Sequence, residues 1–329
     1  MGTKMGGLEY EDYKPFSQQM SLFGDKRRMS SKEYETRAEE LASEKLNNIQ
    51  PDWAERRQLN LRAEQIQRDI GEKLSVKEKH LFGSSIKNTM VNSSNRKDAD
   101  ILIVLDSEKH SDLLTGKYGA KLSLVEVQES LKKNPKYKDA QITIDGNAVV
   151  VKQDGKIVDV VPAFRNPNGK GFLIPENRNG TRWIKSDPRT SKRILDIEDK
   201  KHYGQVRQIV QLAKDWNERN GKKLKSYHVE AIVIQHFMNK DSDKNRSIHA
   251  NADEFFYRFP EYISSSQLKD PATDEKLGGY LSLSDKENAI KSAMRTRDNI
   301  DKARSAKDAG DGEKSLNYYR KALYDEGDD

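Results

Sequence analysis

Cysteine is absent from the 329 residues, which excludes disulfides and thiolate metal sites and is compatible with a reducing compartment. No apolar run approaches the length of a membrane span, and no signal-peptide core stands near the first residues. These absences set the expectation of a cytoplasmic protein with no membrane partner. A large excess of one charge is also missing. The 59 basic residues against 53 acidic ones leave a net charge of +6, which permits contact with polyanions but is too balanced for a dedicated duplex-binding protein. Charge itself is abundant: 34% of residues are charged and 34% apolar, in a chain long enough for one large or two closely packed domains.

The most informative stretch runs from Phe82 to Leu105, FGSSIKNTMVNSSNRKDADILIVL. Gly83-Ser84 is followed by a turn-prone polar segment, then by Asp98-Ala99-Asp100, which lead into the apolar run Ile101 to Leu105. Side chains alternate faces along a strand, so Asp98 and Asp100 project to the same side and can hold a divalent cation. Magnesium takes hard oxygen ligands and keeps waters, so two carboxylates and nucleotide phosphates would complete its shell. A glycine upstream lets the backbone approach a phosphate, with Ser84 and the following amides as donors. Carboxylates at one end and phosphate donors at the other point to phosphoryl transfer.

A third carboxylate is expected from a neighbouring strand. Gln141 to Ile144, Ala148 to Lys152 and Lys156 to Val161 read as strands separated by turns at Asp145-Gly146-Asn147 and Gln153-Asp154-Gly155. Asp159 is the acidic residue inside the last of these runs, where burial without a cation would be costly. Taken alone it reads as a solvent-facing edge residue. Beside Asp98 and Asp100 it reads as the third ligand.

Elsewhere, Met1 to Met29 has no clear period and reads as an extended arm, with Lys26-Arg27-Arg28 as a solvated turn. Ser30-Ser31-Lys32-Glu33 fits a capping box opening a helix towards Leu46, ended by Asn47-Asn48. Pro51-Asp52 opens a longer helix with Leu59, Ala63, Ile66 and Ile70 facing the core. Gly71 to Lys79 reads as a break, and a helix is expected over part of Ile86 to Asn92. Ser123 to Asn134 is an amphipathic helix with Leu124, Val127 and Leu131 inward, completing a small α+β unit. Asn166 to Asn179 reads as a long loop, and Trp183 as a packing anchor.

Beyond Pro188 the composition is helical. Val206, Ile209, Val210, Ala213 and Trp216 form an apolar stripe with Lys214 off it. Ser226 stands at an N-cap position, a natural anion site, and His228 and His236 are too sparsely accompanied by carboxylates to be ligands. Ser284 to Tyr324 reads as a helical hairpin turning at Gly310 and Gly312 and packed on the core, and Asp325 to Asp329 as a frayed acidic tail.

Gly83-Ser84 spaced from Asp98-Ala99-Asp100, with Asp159 on a later strand, resembles the polymerase-β-type nucleotidyltransferase pattern. Val158 to Phe164, Trp183 with Ser186-Asp187-Pro188, Lys214-Asp215-Trp216-Asn217 and Ser226-Tyr227-His228-Val229-Glu230 narrow the branch. They resemble the bacterial cyclic-oligonucleotide synthases, the cGAS/DncV-like nucleotidyltransferases (CD-NTases). The resemblance extends from Pro51 to Phe237.

It implies a bilobal α+β fold: an N-terminal arm and helix over 1–50, a palm with its spine helix over 51–195, and a helical, oligoadenylate-synthetase-like lobe over 196–329. It further implies Asp98, Asp100 and Asp159 as catalytic, metal-binding residues for two Mg²⁺ (or Mn²⁺) ions. Gly83, Ser84, Lys214 and Ser226 would contact the triphosphate, and Tyr227 would stack on a base. The segment Ser85-Ile86-Lys87-Asn88-Thr89 departs from the family, which often has a basic or aromatic residue soon after Gly-Ser.

The implied activity condenses ATP, GTP or pyrimidine triphosphates into a cyclic second messenger, with release of pyrophosphate. A separate effector would sense the product in anti-phage (CBASS) defence, and a nucleic-acid or protein activator is left open. Alternatives of other classes are a linear oligonucleotide or tRNA-end transferase, an enzyme modifying protein or small molecules, and a catalytically silent nucleotide-binding sensor.

Overall fold

A computed structural model describes residues 29–71, 73–93, 98–176 and 182–324. The arm at 1–28 with Lys26-Arg27-Arg28, the end of the expected loop with the residues just after it (177–181) and the tail at 325–329 lie outside the described residues.

Helix α1 (Ser31–Ile49) starts as expected, with the Ser30 side chain accepting from the Glu33 amide at 3.2 Å. Helix α2 (Trp53–Gly71) begins after Asp52, whose carboxylate accepts from the Ala54 amide at 2.8 Å. Leu59, Ala63, Ile66 and Ile70 are buried. The expected break after Gly71 is instead largely strand β1 (Val76–Phe82). Its Lys77, Glu78 and Lys79 mask the strand pattern because β1 is a sheet edge, where charged side chains discourage pairing with a further strand. A short helix α3 (Ser84–Lys87) follows, four residues long; it covers Ile86 and Lys87 of the expected Ile86 to Asn92 stretch and starts two residues before it. It ends at Asn88, which adopts the left-handed conformation.

The remaining palm elements are β2 (Asp98–Leu105), α4 (Ser111–Thr115), α5 (Gly119–Lys132), β3 (Gln141–Asp145), β4 (Ala148–Gln153), β5 (Lys156–Arg165), β6 (Phe172–Pro175) and β7 (Trp183–Ser186). Strand β6 lies within the expected Asn166–Asn179 loop: Phe172 pairs with Arg165 and Ser186, so a polar, glycine-rich stretch is extended by its neighbours.

The sheet is mixed, with strand order β1-β2-β5-β4-β3. Strands β2 and β5 pair in parallel, which requires the crossover supplied by α4, α5 and the β3–β4 hairpin. One face is closed by α2 and α5, whose Ile66, Leu124, Val127 and Leu131 pack on Ala99, Ile101, Val158 and Val160. Trp183 joins this core as anticipated, edge-on to Phe164 at 5.1 Å. The other face carries a smaller apolar cluster of Leu102, Val104, Val161, Ala163 and Phe172 at one end. Asp98, Asp100 and Asp159 occupy the other end.

Among the described residues six α-helices follow, α6 (Pro188–Lys201), α7 (Gln205–Arg219), α8 (Ser226–Met238), α9 (Ile248–Ser264), α10 (Leu283–Asp308) and α11 (Gly312–Tyr319), the last running into a π-helical turn over Arg320–Tyr324. The expected stripe on α7 is buried, around Trp216, which donates its ring N–H to Thr296 Oγ1 at 2.8 Å. The hairpin of α10 and α11 packs into the same core through Ala293, Ile300, Ala303, Leu316 and Tyr319. Helix α1 also packs there rather than on the sheet: Tyr34 bonds Ser315 at 2.9 Å, and Lys45 pairs with Asp215 at 3.1 Å. No helix among the described residues is long and apolar enough to cross a membrane.

Candidate active site

The apolar run after Asp100 forces β2 into the centre of the sheet, and the alternation of the strand does the rest. Ala99 and Ile101 are buried against the helices, while Asp98 and Asp100 are partly buried on the opposite face. On β5, Asp159 stands directly opposite Asp100 in the parallel register, and Ile157 stands opposite Asp98. Paired residues on adjacent strands share a face, so the sheet sets all three carboxylates on one side. Among the described residues no group of three or more His, Cys, Asp or Glu side chains is gathered tightly enough to hold a metal ion by itself. The donor set nevertheless suits a hard divalent cation, because three carboxylates from two neighbouring strands offer oxygen ligands on one face.

The Gly-Ser turn is fixed to the same place. Phe82 of β1 pairs with Asp100, so the chain turns beside that carboxylate. Gly83 has φ 79° and ψ −167°, a conformation essentially restricted to glycine. A Cβ there would lie 1.8 Å from Asp100 Oδ2, so glycine is required by both backbone and space. Ser84 begins α3, and its carbonyl accepts from the Thr89 amide at 3.1 Å.

The helical side meets this turn through a buried ionic cluster. Lys214, expected off the apolar stripe, is only 6% exposed. Its Nζ donates to Thr89 Oγ1 at 2.9 Å and to Glu230 Oε2 at 3.3 Å. Glu230 Oε1 accepts from Lys87 Nζ, which also donates to Ser191 Oγ at 2.8 Å. Burial lowers the pKa of Lys214, opposed chiefly by the charge of Glu230 and in smaller part by that of Asp100. For Glu230, burial acts to raise the pKa, but the ammonium groups of Lys87 and Lys214 outweigh it and bring it to about 2.

Because the folded pKa of Glu230 lies below the ordinary 4.5, its contribution to stability is present above that value and is lost as pH falls towards 2. Acid titration of unfolding free energy should therefore show a shallower slope across this window in Glu230→Gln than in wild type. An equal slope would mean that the cluster does not carry that linkage.

Ser226 and Tyr227 lie at the start of α8. Ser226 is the first helical residue and is exposed, not the N-cap; Lys225 holds that position and caps with no side chain. The reason is local: the Lys225 carbonyl already accepts from the His228 and Val229 amides, so the helix starts one residue earlier than the serine suggests. Tyr227 is 47% exposed, its ring 6.0 Å from that of Tyr280, and burial with the charge of Asp270 pushes its hydroxyl up to about 12. It lines a small pocket with Glu230 of α8, Ser191 of α6 and Asp270. His228 and His236 are buried and bonded to the hydroxyls of Tyr280 and Tyr262, each at 2.9 Å.

The structure thus brings Gly83, Ser84, Asp98, Asp100 and Asp159 to one end of the sheet and ties Lys214 to the same turn through Thr89. Ser226 and Tyr227 reach it only through α8. Sequence reasoning gave no role to Glu230, Lys87 or Thr89. The available signal was a glutamate inside the apolar run Val229 to Ile234.

Residues 39–197 match the family model of the Second Messenger Oligonucleotide or Dinucleotide Synthetase domain. A probable cyclic nucleotide synthase of Bacillus cereus (strain VD146) is 33% identical over 119 residues, 35% of this chain and 36% of that protein. The CBASS oligonucleotide cyclase CdnC of Escherichia coli (strain KTE188) is 25% identical over 205 residues, 61% and 62% of the two chains. The chain therefore spans less than two thirds of the length of these relatives.

Among solved structures, Escherichia coli MS115-1 CdnC with ATP superposes with a TM-score of 0.66 at 16% identity, covering 88% of this chain and 98% of that one. The GTP-bound form of Vibrio cholerae DncV gives 0.56 at 14% identity, covering 95% and 85%. At these identities the likeness is one of fold. Over residues 39–197 the chain thus matches the second-messenger synthetase domain, and as a whole it is similar in fold to CdnC and DncV.

Proposed function

We propose that this protein condenses ribonucleoside triphosphates into a cyclic di- or oligonucleotide, releasing pyrophosphate at each transfer. The observation that carries this reading is the register of β2 and β5. It sets Asp100 opposite Asp159 with Asp98 on the same face, beside a turn whose glycine cannot be replaced without striking Asp100.

Asp98, Asp100 and Asp159 are the catalytic residues and the ligands for two Mg²⁺ ions, in keeping with the metal dependence of the family. When bound, the metal supplies Lewis-acid stabilisation of the phosphate charge and lowers the pKa of the attacking hydroxyl. Gly83 and Ser84 receive the triphosphate at the turn, Lys214 and Ser226 contact it from the helical side, and Tyr227 stacks on a base. A ribose hydroxyl oxygen of one nucleotide bonds to the α-phosphorus of another. The bond from that phosphorus to the β-phosphate bridging oxygen breaks, pyrophosphate leaves, and Asp159 accepts the hydroxyl proton. A second transfer within the same site closes the ring. Positioning and charge stabilisation carry most of the acceleration. The product acts on a separate effector in anti-phage defence.

Purified protein incubated with all four ribonucleoside triphosphates and Mg²⁺ or Mn²⁺, then treated with phosphatase and examined by mass spectrometry, tests this. A phosphatase-resistant product without free termini is expected, absent from Asp98→Ala/Asp100→Ala. Open-ended products would replace the reading with a linear transferase. No product together with metal-dependent nucleotide binding would replace it with a sensor.

A further inference from the structure

The Glu230 carboxylate is buried at 4% exposure, and the reaction as described does not use it. It sits at the meeting point of elements distant in sequence. Lys87 closes α3 immediately after the Gly-Ser turn, Thr89 follows it, Lys214 comes from α7 and Glu230 from α8. One oxygen of Glu230 takes Lys87; the other lies 3.3 Å from both Lys214 Nζ and Thr89 Oγ1.

The arrangement is locked at its edges. Arg207 of α7 donates through Nε to the Lys87 carbonyl at 2.8 Å and is itself held by Asp196 and Asp199 of α6. Thr89 is joined through its amide to the carbonyl of Ser84. Lys214 is therefore one hydrogen bond from a residue that is itself one hydrogen bond from the phosphate turn.

The charges are unequal as well as buried. Two ammonium groups, with side chains 11% and 7% exposed, share one carboxylate. Such a cluster is short of negative charge, and a buried cation left short of a partner is costly. A lysine ammonium has three N–H donors, and the contacts to Thr89 and Glu230 use two of those of Lys214.

From this geometry we infer that Glu230 is a positioning residue. It orients Lys214 towards the triphosphate at the Gly83-Ser84 turn, and through Lys87 and Thr89 it fixes the helical side of the molecule to that turn. The inference rests on the proposed triphosphate contact of Lys214. Glu230 itself touches no substrate. The incoming phosphate supplies the negative charge that the cluster lacks, so a bound triphosphate and the Glu230–Lys214 pair reinforce one another.

The test compares binding of ATP and of AMP, with GTP and GMP as a second pair, in the presence of Mg²⁺. Wild type is expected to prefer the triphosphate. In Glu230→Gln that preference should fall roughly tenfold, the scale of one charge-assisted hydrogen bond, while monophosphate affinity is kept. In a double-mutant cycle, Lys214→Met should add little to Glu230→Gln, because one acts through the other. A merely structural role would weaken both ligands together and give additive effects.

Glu230→Gln leaves two buried ammonium groups without a carboxylate and can fail to fold, so Glu230→Gln/Lys87→Met serves as the balanced variant. The triphosphate preference should remain lost in it, because Lys214 still lacks its partner. Recovery of wild-type preference in that double variant would overturn the inference, leaving Glu230 as a charge balance for the core. An unchanged preference in folded Glu230→Gln would overturn it as well while leaving the triphosphate site standing. A wild type that binds nucleotides with no triphosphate preference would overturn the triphosphate contact itself, and the role of Glu230 with it.

Discussion

Asp100→Asn is expected to lower turnover by about a thousandfold or more, with the melting temperature little changed. The argument is positional. Asp100 is the carboxylate that Phe82 places beside the Gly-Ser turn, and it stands opposite Asp159 on the parallel strand, so it adjoins both the phosphate turn and the third carboxylate. Removal of one preorganised group that stabilises transition-state charge costs roughly a hundredfold to a thousandfold, and Asp100 would in addition be lost as a ligand of the proposed metal site. The substitution keeps volume and shape, and the apolar residues that fix β2, Ile101 to Leu105, are untouched. Steady-state turnover with the active triphosphates, paired with a thermal melt, checks it. Wild-type turnover in a folded Asp100→Asn protein would remove this carboxylate from the mechanism.

Gly83→Ala carries the second large effect, and it reaches both stability and activity. An alanine at φ 79° and ψ −167° costs about 1–3 kcal/mol in backbone strain. The added Cβ would also meet Asp100 Oδ2 at 1.8 Å, so either the turn or the carboxylate must move. Displacement of a reacting group by about an ångström lowers the rate roughly a hundredfold. Gly204→Ala separates the two causes: that glycine has φ 85° at the start of α7, and an added Cβ would have nothing within 4 Å. It should cost stability alone. Denaturant unfolding and turnover of the two variants are compared. Equal turnover in both would show that Gly83 serves only the backbone.

The two substitutions bear on different parts of what the chain encodes. Asp98 and Asp100 share a face because a strand alternates, and the apolar run after them made that strand legible. The buried positions of α2, α5 and α7 were legible for the same reason, since a 3.6-residue period marks one face of a helix whatever it packs against. Strand β1 was not, because an edge strand with charges at three successive positions carries no apolar alternation. Strand β6 owes its extension to pairing with β5 and β7.

Periodicity reports which side of an element faces inward but not what it meets there. Lys214 falls off the apolar stripe of α7 in the sequence, yet it is buried because Glu230 and Thr89 arrive from elsewhere with the hydrogen bonds that make its burial tolerable. Lys87 and Glu230 lie 143 residues apart, and no local pattern couples them. Helix α1 shows its start in the sequence through the Ser30 capping box, but its partner, the hairpin of α10 and α11, stands at the other end of the chain.

The sequence by itself determined the elements with a strong period and the shared face of Asp98 and Asp100, because each depends on residues close in the chain. Only the tertiary structure decided that Asp159 stands opposite Asp100, that Gly83 lies against that carboxylate, and that Lys214, Thr89 and Glu230 bond to one another. Those contacts follow from a parallel strand crossover and from the hydrogen bonds of α3 to α7 and α8, which join segments far apart in the chain.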